Sequence, residues 1–463
     1  MSAPRAITIL GGGPAGLAVG LAARRAGLPF SIYEAQERVG GNCITLSDGD
    51  FRFDSGAHRF HDKDPESTRQ VQELLGNELQ RIDAPSQIWH EGRYFDFPIA
   101  PFNLIKTLGL GETVRAAGSF VKGRLTSVGS RSFGDYARRN YGADLASRFL
   151  LNYSEKLWGA PSDLLSTAVC GKRLSGLGLR SLMIEAILGR RANTRHLDGA
   201  FYYPRQGFGT IVERMAEACG SKSIHVNSPV LHITHADDRI EAVHFARGHR
   251  VPVDEVVSSL PLGLMLQLMH PAPPASILDA ARQLRFRNVV LVALFLNKEQ
   301  ITPNGSVYFP DPSVPFTRVY EPRNRSAEMA PPGKTSLVAE LPCQPGDAVW
   351  NAGDSDLRAL VAEQFRSIGW IGARDIIGGA IHRIRHAYPI LELGYEDRLL
   401  PIMGYLGRFH NLRLAGRNGC FVYSHLHDML RSGREIIEDY SQLRTVAIRP
   451  AADRSIAALR RAA

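Results

Sequence analysis

The chain has 463 residues, 44% of them hydrophobic and 22% charged, which fits two or three interleaved globular domains and excludes a long disordered region. No run of about 18 apolar residues is uninterrupted, and the N-terminal apolar run leads into glycines rather than a cleavage site, so a soluble, cytoplasmic protein is expected. The net charge of +9 favours anionic partners, such as a phosphorylated small molecule or an anionic membrane surface; the lack of a compact basic and aromatic module argues against nucleic acid.

Residues 6–34 predict a βαβ unit: a strand over 6–10, a glycine turn over 11–16, a small-residue helix over 17–26 closed by Gly27, and a second strand over 29–34. Residues 40–62 suggest short strands, and 98–195 long helical segments with interspersed arginines. Strand-like pieces return over 200–265, and buried strands are predicted at 289–296 and 335–340. Residues 411–443 read as a strand, a Gly-Arg turn and a closing helix, followed by a basic tail over 446–463. The cysteines Cys43, Cys170, Cys219, Cys343 and Cys420 contain no CxxC pair and read as reduced thiols, and no metal site is expected.

Gly11-x-Gly13-x-x-Gly16, with Pro14 and Ala15 inside the turn, follows the first strand and opens the helix. Gly11 permits the tight turn, Gly13 lets backbone amides approach a pyrophosphate, and Gly16 lets the helix pack on the strand. The helix start then offers unpaired N–H donors and the positive dipole end to the phosphates. Glu34, 18 residues beyond Gly16, is placed to accept ribose hydroxyls. The stretch that follows, Gln36 to Val39 and then Gly40-Gly41-Asn42, resembles the extension of FAD enzymes of the glutathione-reductase type. The expected fold class is therefore α/β. A Rossmann-type FAD-binding domain (1–95, 200–265 and 395–445) would be interleaved with a mixed α+β substrate domain (96–199 and 266–394) carrying a helical insert.

Further blocks carry a family resemblance. They are Phe53 to His61 with its Gly56-Ala57-His58 core, Gly92 to Pro98, and Tyr153-x-x-Lys156-x-Trp158-Gly159. Lys172-Arg173-Leu174, Tyr202 to Gly209, Asn227 to Val230, and Gly416-Arg417 followed by Phe421 and Tyr423 complete the series. In this shared order the chain resembles the amine-oxidase-like FAD flavoenzymes, and among them bacterial proteins similar to both protoporphyrinogen oxidase and UDP-galactopyranose mutase. The resemblance implies that His58 faces the flavin, that the Val230 backbone touches the adenine, and that Gly416 and Arg417 approach the flavin and phosphates. It also implies that Arg173, Trp158 and Tyr423 join His58 in acting on substrate. Where the mutases carry a Tyr-Asp pair after the tyrosine matching Tyr423, this chain has Ser424-His425.

Two chemistries follow. An oxidoreductase would pass a hydride from an anionic or sugar-linked substrate to FAD and needs an apolar wall. A mutase would use reduced FAD, with NAD(P)H as a reductant, and needs guanidiniums for a departing diphosphate. Arg173, Arg180, Arg205, Arg318 and Arg323 are the candidates. An inert FAD-holding protein is a third reading. Several features have plain alternatives: His61 as a core histidine, Glu155-Lys156 as a surface pair, Tyr388-Pro389 as a turn, and Arg190, Arg191 and Arg195 as a solvated face. The stripe Val114, Ala117, Val121 and Leu125, flanked by Arg115, Lys122 and Arg124, reads first as a core-facing helix and second as a membrane-surface helix.

Overall fold

The computed structural model describes residues 5–97, 101–126, 131–170 and 200–443. Arg173, Arg180, Arg190, Arg191, Arg195 and the 446–463 tail lie outside the described residues, as do the side chains of Arg124 and Leu125.

Ile7–Leu10 is buried at every position, the pattern of a strand covered on both faces of a parallel sheet. It is the central strand of five, in the order Leu412–Leu414, Glu255–Ser258, Ile7–Leu10, Phe30–Tyr33 and Ile224–His225. All four pairings are parallel, with Ile7 opposite Phe30 on one side and Glu255 on the other. The chain passes from this strand to Phe30–Tyr33 on one side and later to Glu255–Ser258 on the other, so the carboxyl end of Ile7–Leu10 opens at a topological switch point, where such sheets bind ligands.

The helix Pro14–Arg25 covers this sheet with a run of small buried residues. The closing helix Leu426–Leu443 packs on it closely, because Gly433 sits against Ala18: a Cβ at 433 would lie 2.7 Å from the Ala18 carbonyl carbon. Segments more than 400 residues apart thus complete one domain.

A seven-stranded sheet forms the second large layer. Its order is Ile376–Pro389, Phe286–Leu296, Thr335–Cys343, Arg318–Tyr320, Ser306–Tyr308, Ser86–His90 and Arg93–Phe97. Phe286–Leu296 is buried from Arg287 onward, as its near-continuous apolar run requires. The expected domain boundary at 95 needs correction. Ser86–His90 pairs in parallel with Ser306–Tyr308 and antiparallel with Arg93–Phe97, so the chain has crossed into the large sheet by Ser86. Sequence reasoning placed neither strand, and nothing local marks their long-range partner.

The core-facing reading of the Leu110–Thr126 stripe also fails. Val114 and Val121 are 62% and 55% exposed, and Ala116 carries the buried face instead. Among the described residues no helix is long and apolar enough to cross a membrane.

Candidate active site

The glycine turn is built as its spacing requires. Gly11 has φ +98° and donates its N–H to the Tyr33 carbonyl at 2.9 Å. A Cβ at Gly16 would lie 2.0 Å from the Gly11 carbonyl oxygen, so only glycine lets this helix start so near the strand. Gly13 caps the helix with extended backbone and Pro14 holds the first helical position, with no acidic residue in the first turn. Gly40 donates to the Gly12 carbonyl at 2.9 Å, and Gly41 brings its backbone against Gly13. Gly416 closes the same cradle from the other end of the chain, where a Cβ would lie 2.5 Å from the Ala15 Cβ.

Glu34 accepts the Gly12 N–H at 2.7 Å and the Gln36 N–H at 2.9 Å. An ionised carboxylate offers about four acceptor positions, so capacity for two hydroxyls remains. Ser228 donates to the Glu34 carbonyl and Asn227 to that of Gln36, which carries Val230 alongside the Glu34 turn. Tyr33 stacks between His225 and Phe245 on this flank.

His58 stands beyond the cradle. Its Nε2 lies 3.0 Å from the Asn42 carbonyl, which can only accept, so Nε2 carries the hydrogen and Nδ1 a lone pair. The ring stacks on Phe208, and the preceding Ala57 N–H donates to Glu340 at 2.7 Å. Glu340 also receives a bidentate bond from Arg318, at 2.8 and 3.0 Å. Nearby, the buried Asp54 accepts from Tyr203, Thr45 and the Phe208 N–H. Burial, and then the cations Arg417, Arg318 and Arg325, hold the His58 imidazole down to about 3.

His58 therefore carries a pH signature. Unfolded, it titrates near 6.5; folded, it stays neutral down to about 3. Between those values the unfolded chain binds the extra proton, so stability falls as pH drops through that window and His58 is silent above it. In His58→Gln, the pH slope of unfolding free energy in urea titrations should flatten by about 1.4 kcal/mol per unit between about pH 4 and 6. A slope equal to the parent's would refute the neutral assignment.

An aromatic wall faces this region. Trp158 is buried, with edge contacts to Tyr388 at 5.9 Å and Tyr423 at 5.6 Å. The Arg417 guanidinium lies over both tyrosine rings, at 5.5 and 5.1 Å, and is pinned by the Ala387 and Ser424 carbonyls. Tyr388 is thus no plain turn residue; it ends the strand Ile376–Pro389 and serves the wall. Burial raises the Tyr153 and Tyr388 hydroxyls, Tyr388 to about 12, so both stay protonated.

Lys156 is not half of a surface pair. Its Nζ donates to the carbonyls of Phe309, Asp311 and Phe316 at 2.7–2.9 Å, tying the Trp158 helix to the large sheet. Burial pushes this ammonium down to about 7, opposed by the Asp311 charge. His61 lies against Phe201 rather than beside His58. Arg205 serves Asn77 and Glu328, and Arg323 the carbonyls of Pro331 and Lys334, so neither joins the wall.

Sequence reasoning missed Arg325, which is 1% exposed and donates to the His58 and Gly305 carbonyls. Those two partners are backbone atoms, and the Tyr320 ring beneath its guanidinium is distant enough in strand context that no local pattern marks the contact. His425, His427 and Asp428 place three ligand-type atoms together. The Asp428 carboxylate, however, receives the His425 N–H and the Arg431 guanidinium, the duties of a helix-start residue.

The residues present fit a flavin dinucleotide. The paired glycine backbones leave room for a pyrophosphate, Glu34 keeps acceptor capacity, and the buried Asn418 Oδ1 and Ser424 Oγ beside Arg417 have no protein partner. Sheet and cradle together define a Rossmann-type, dinucleotide-binding enzyme with a second, substrate-side sheet. Residues 14–376 match the family described as flavin-containing amine oxidoreductases, and the chain belongs to that family.

The chain is 29% identical over 174 residues to chloroplastic protoporphyrinogen oxidase 1 of Arabidopsis thaliana, a match spanning 35% of this chain and 32% of that enzyme. It is 21% identical over 413 residues to coproporphyrinogen III oxidase of Propionibacterium freudenreichii subsp. freudenreichii, covering 78% and 77% of the two chains. Among solved structures it superimposes on reduced UDP-galactopyranose mutase with a TM-score of 0.83 and 21% identity, over 97% of both chains. That last likeness is one of fold.

Proposed function

We propose that the protein is an FAD-dependent oxidoreductase acting on a small anionic or sugar-linked molecule held between His58 and the Trp158–Tyr388–Tyr423 wall. The engagement of the site's described arginines carries this reading. Arg417 is spent on two carbonyls and two rings, and Arg318 is paired with Glu340. A diphosphate leaving group would need several guanidiniums free to follow its charge. The described residues offer an aromatic enclosure instead, with the Arg318 charge, felt by Tyr388, Tyr308 and Tyr153, to orient one anionic group.

When bound, FAD would supply the two-electron acceptor. Gly11, Gly13, Pro14, Ala15, Gly16, Gly40, Gly41 and Asn42 would line its pyrophosphate, Glu34 its ribose, Val230 its adenine, and Gly416 and Arg417 its flavin end. Trp158, Tyr388 and Tyr423 exclude water and fix the substrate's reacting carbon. His58, neutral and with its Nδ1 lone pair uncommitted to Asn42, offers a hydrogen-bond acceptor that orients a substrate N–H or O–H.

The test is anaerobic mixing of purified holoenzyme with candidate substrates, without added reductant. Substrate-driven bleaching of the flavin spectrum is expected. Isomerisation of a sugar nucleotide that appears only after dithionite reduction, without such bleaching, would replace this reading with the mutase.

A further inference from the structure

We infer that Tyr320, Arg325 and Glu340 are positioning residues for the flavin: by gripping the backbone of residues 54–58 they hold the Asn42 carbonyl in place, and with it the Gly40–Gly41 side of the cradle. The Tyr320 hydroxyl donates to the Asp54 carbonyl at 2.6 Å, the Ala57 N–H donates to Glu340 at 2.7 Å, and Arg325 donates to the His58 carbonyl at 2.9 Å. Tyr320 and Glu340 lie on adjacent strands of the seven-stranded sheet, and Arg325 ends the short turn that leaves the Tyr320 strand. Three side chains of the substrate-side layer thus meet three backbone groups within five residues of the nucleotide-binding layer.

The other side of this segment reaches the cradle. Ser55 Oγ and His58 Nε2 donate to the Asn42 carbonyl at 2.9 and 3.0 Å, which fills both of its acceptor positions. Ser55 also accepts the Ile44 N–H at 3.0 Å and donates its own N–H to the Ile44 carbonyl at 2.9 Å. Asn42 directly follows Gly41, whose backbone lies against Gly13. A continuous hydrogen-bonded path therefore runs from the large sheet to the paired glycines. Asp54, Ser55, Ala57, Tyr320, Arg325 and Glu340 along it are all buried, so water does not replace a donor lost there.

The Asp54 carboxylate anchors the segment to its own layer independently, accepting from Tyr203 at 2.6 Å, Thr45 at 2.7 Å and the Phe208 N–H at 2.8 Å. What the large sheet adds is placement. Loosening one of its contacts shifts His58 and Asn42 while the Asp54 anchor keeps the segment folded. Tyr320 isolates this effect. Its hydroxyl bonds Asp54 while its ring lies under the Arg325 guanidinium at 4.6 Å, so Tyr320→Phe removes the first contact and keeps the second.

The inference rests on the cradle holding a flavin and not on the reaction proposed for it, so no substrate enters the test. Purified full-length holoenzyme is diluted serially, and the flavin that passes a spin membrane gives an apparent Kd. Tyr320→Phe is expected to raise this Kd by about fivefold or more, and Arg325→Lys to do the same. Val292→Ala is the control. It trims a side chain on the opposite face of the large sheet, in the cluster with Leu294 and Leu357. It should lower the urea midpoint of unfolding yet leave the apparent Kd within about twofold of the parent's. A Tyr320→Phe Kd within about twofold of the parent's, or a Val292→Ala Kd raised as much as that of Tyr320→Phe, would overturn the inference. Should Arg325→Lys not fold, Tyr320→Phe alone decides. Parent protein that retains no flavin would overturn the cradle and this inference with it, whereas a flat Tyr320→Phe response leaves the cradle standing.

Discussion

Gly16→Ala is expected to yield protein with less than about a tenth of the parent's flavin-to-protein absorbance ratio. The new Cβ would fall 2.0 Å from the Gly11 carbonyl oxygen and 3.2 Å from the Ile9 side chain. Gly11 cannot yield easily, because its N–H is tied to Tyr33 and its backbone already occupies φ +98°. The helix must therefore move away from the strand by more than about an ångström, and overpacking of this kind costs about 1–3 kcal/mol in stability alone. Its effect on the cofactor is larger, because the shift displaces the N–H groups that would face the pyrophosphate. Gly118→Ala is the control. That position lies on an open helix face with nothing within 4 Å of an added Cβ, and it should gain up to about 1 kcal/mol from helix propensity without loss of flavin. Gly16→Ala protein that keeps the parent's flavin ratio would show that the cradle has been misread.

Glu340→Gln is expected to destabilise the protein by about 3–5 kcal/mol, read from urea unfolding. Its carboxylate side chain is 4% exposed and that of Arg318 is 18% exposed, so removing one charge leaves the other buried and uncompensated. Replacing both, as Arg318→Met/Glu340→Leu, should recover most of this loss. A residual deficit of about 1–3 kcal/mol is expected, because the Ala57 N–H loses its acceptor. The double variant should also lower catalytic turnover, since Arg318 no longer orients the substrate's anionic group and the Ala57–His58 turn is no longer anchored from the large sheet. A single variant within 1 kcal/mol of the parent would mean that the pair is solvated enough to be dispensable.

What could be read from the chain itself was what neighbours in sequence determine. The turn from Gly11 to Gly16 and the Glu34 acceptor sit within one βαβ unit, and each of these roles follows from local spacing. The buried strands were equally plain, 289–296 as an unbroken apolar run and 335–340 from its Leu337–Ala339 centre. The Arg318–Glu340 pair was not, although both residues were in view. Nothing in their spacing says that neighbouring strands bring them together under Ala57. Arg417 presented the same difficulty: its glycine neighbour marked the turn, but Tyr388 and Tyr423 close on it only in three dimensions. The Leu110–Thr126 helix failed differently. Periodicity identifies an apolar face but not whether protein covers it, and the small residues Ala116 and Gly123 took the inner side because the helix packs there by backbone approach.

The contact between Gly433 and Ala18 also sets an order of assembly. The central strand of the first sheet precedes every strand of the large sheet, and its neighbour Glu255–Ser258 precedes most of them, yet the edge strand Leu412–Leu414 and the helix Leu426–Leu443 follow only after the whole of the large sheet. Pairings so distant along the chain form late and slowly. The nascent protein should therefore complete its substrate-side sheet while the nucleotide cradle still lacks a wall. Competence to retain a flavin then arrives only once the segment through Leu443 has been made, as a checkpoint on everything before it.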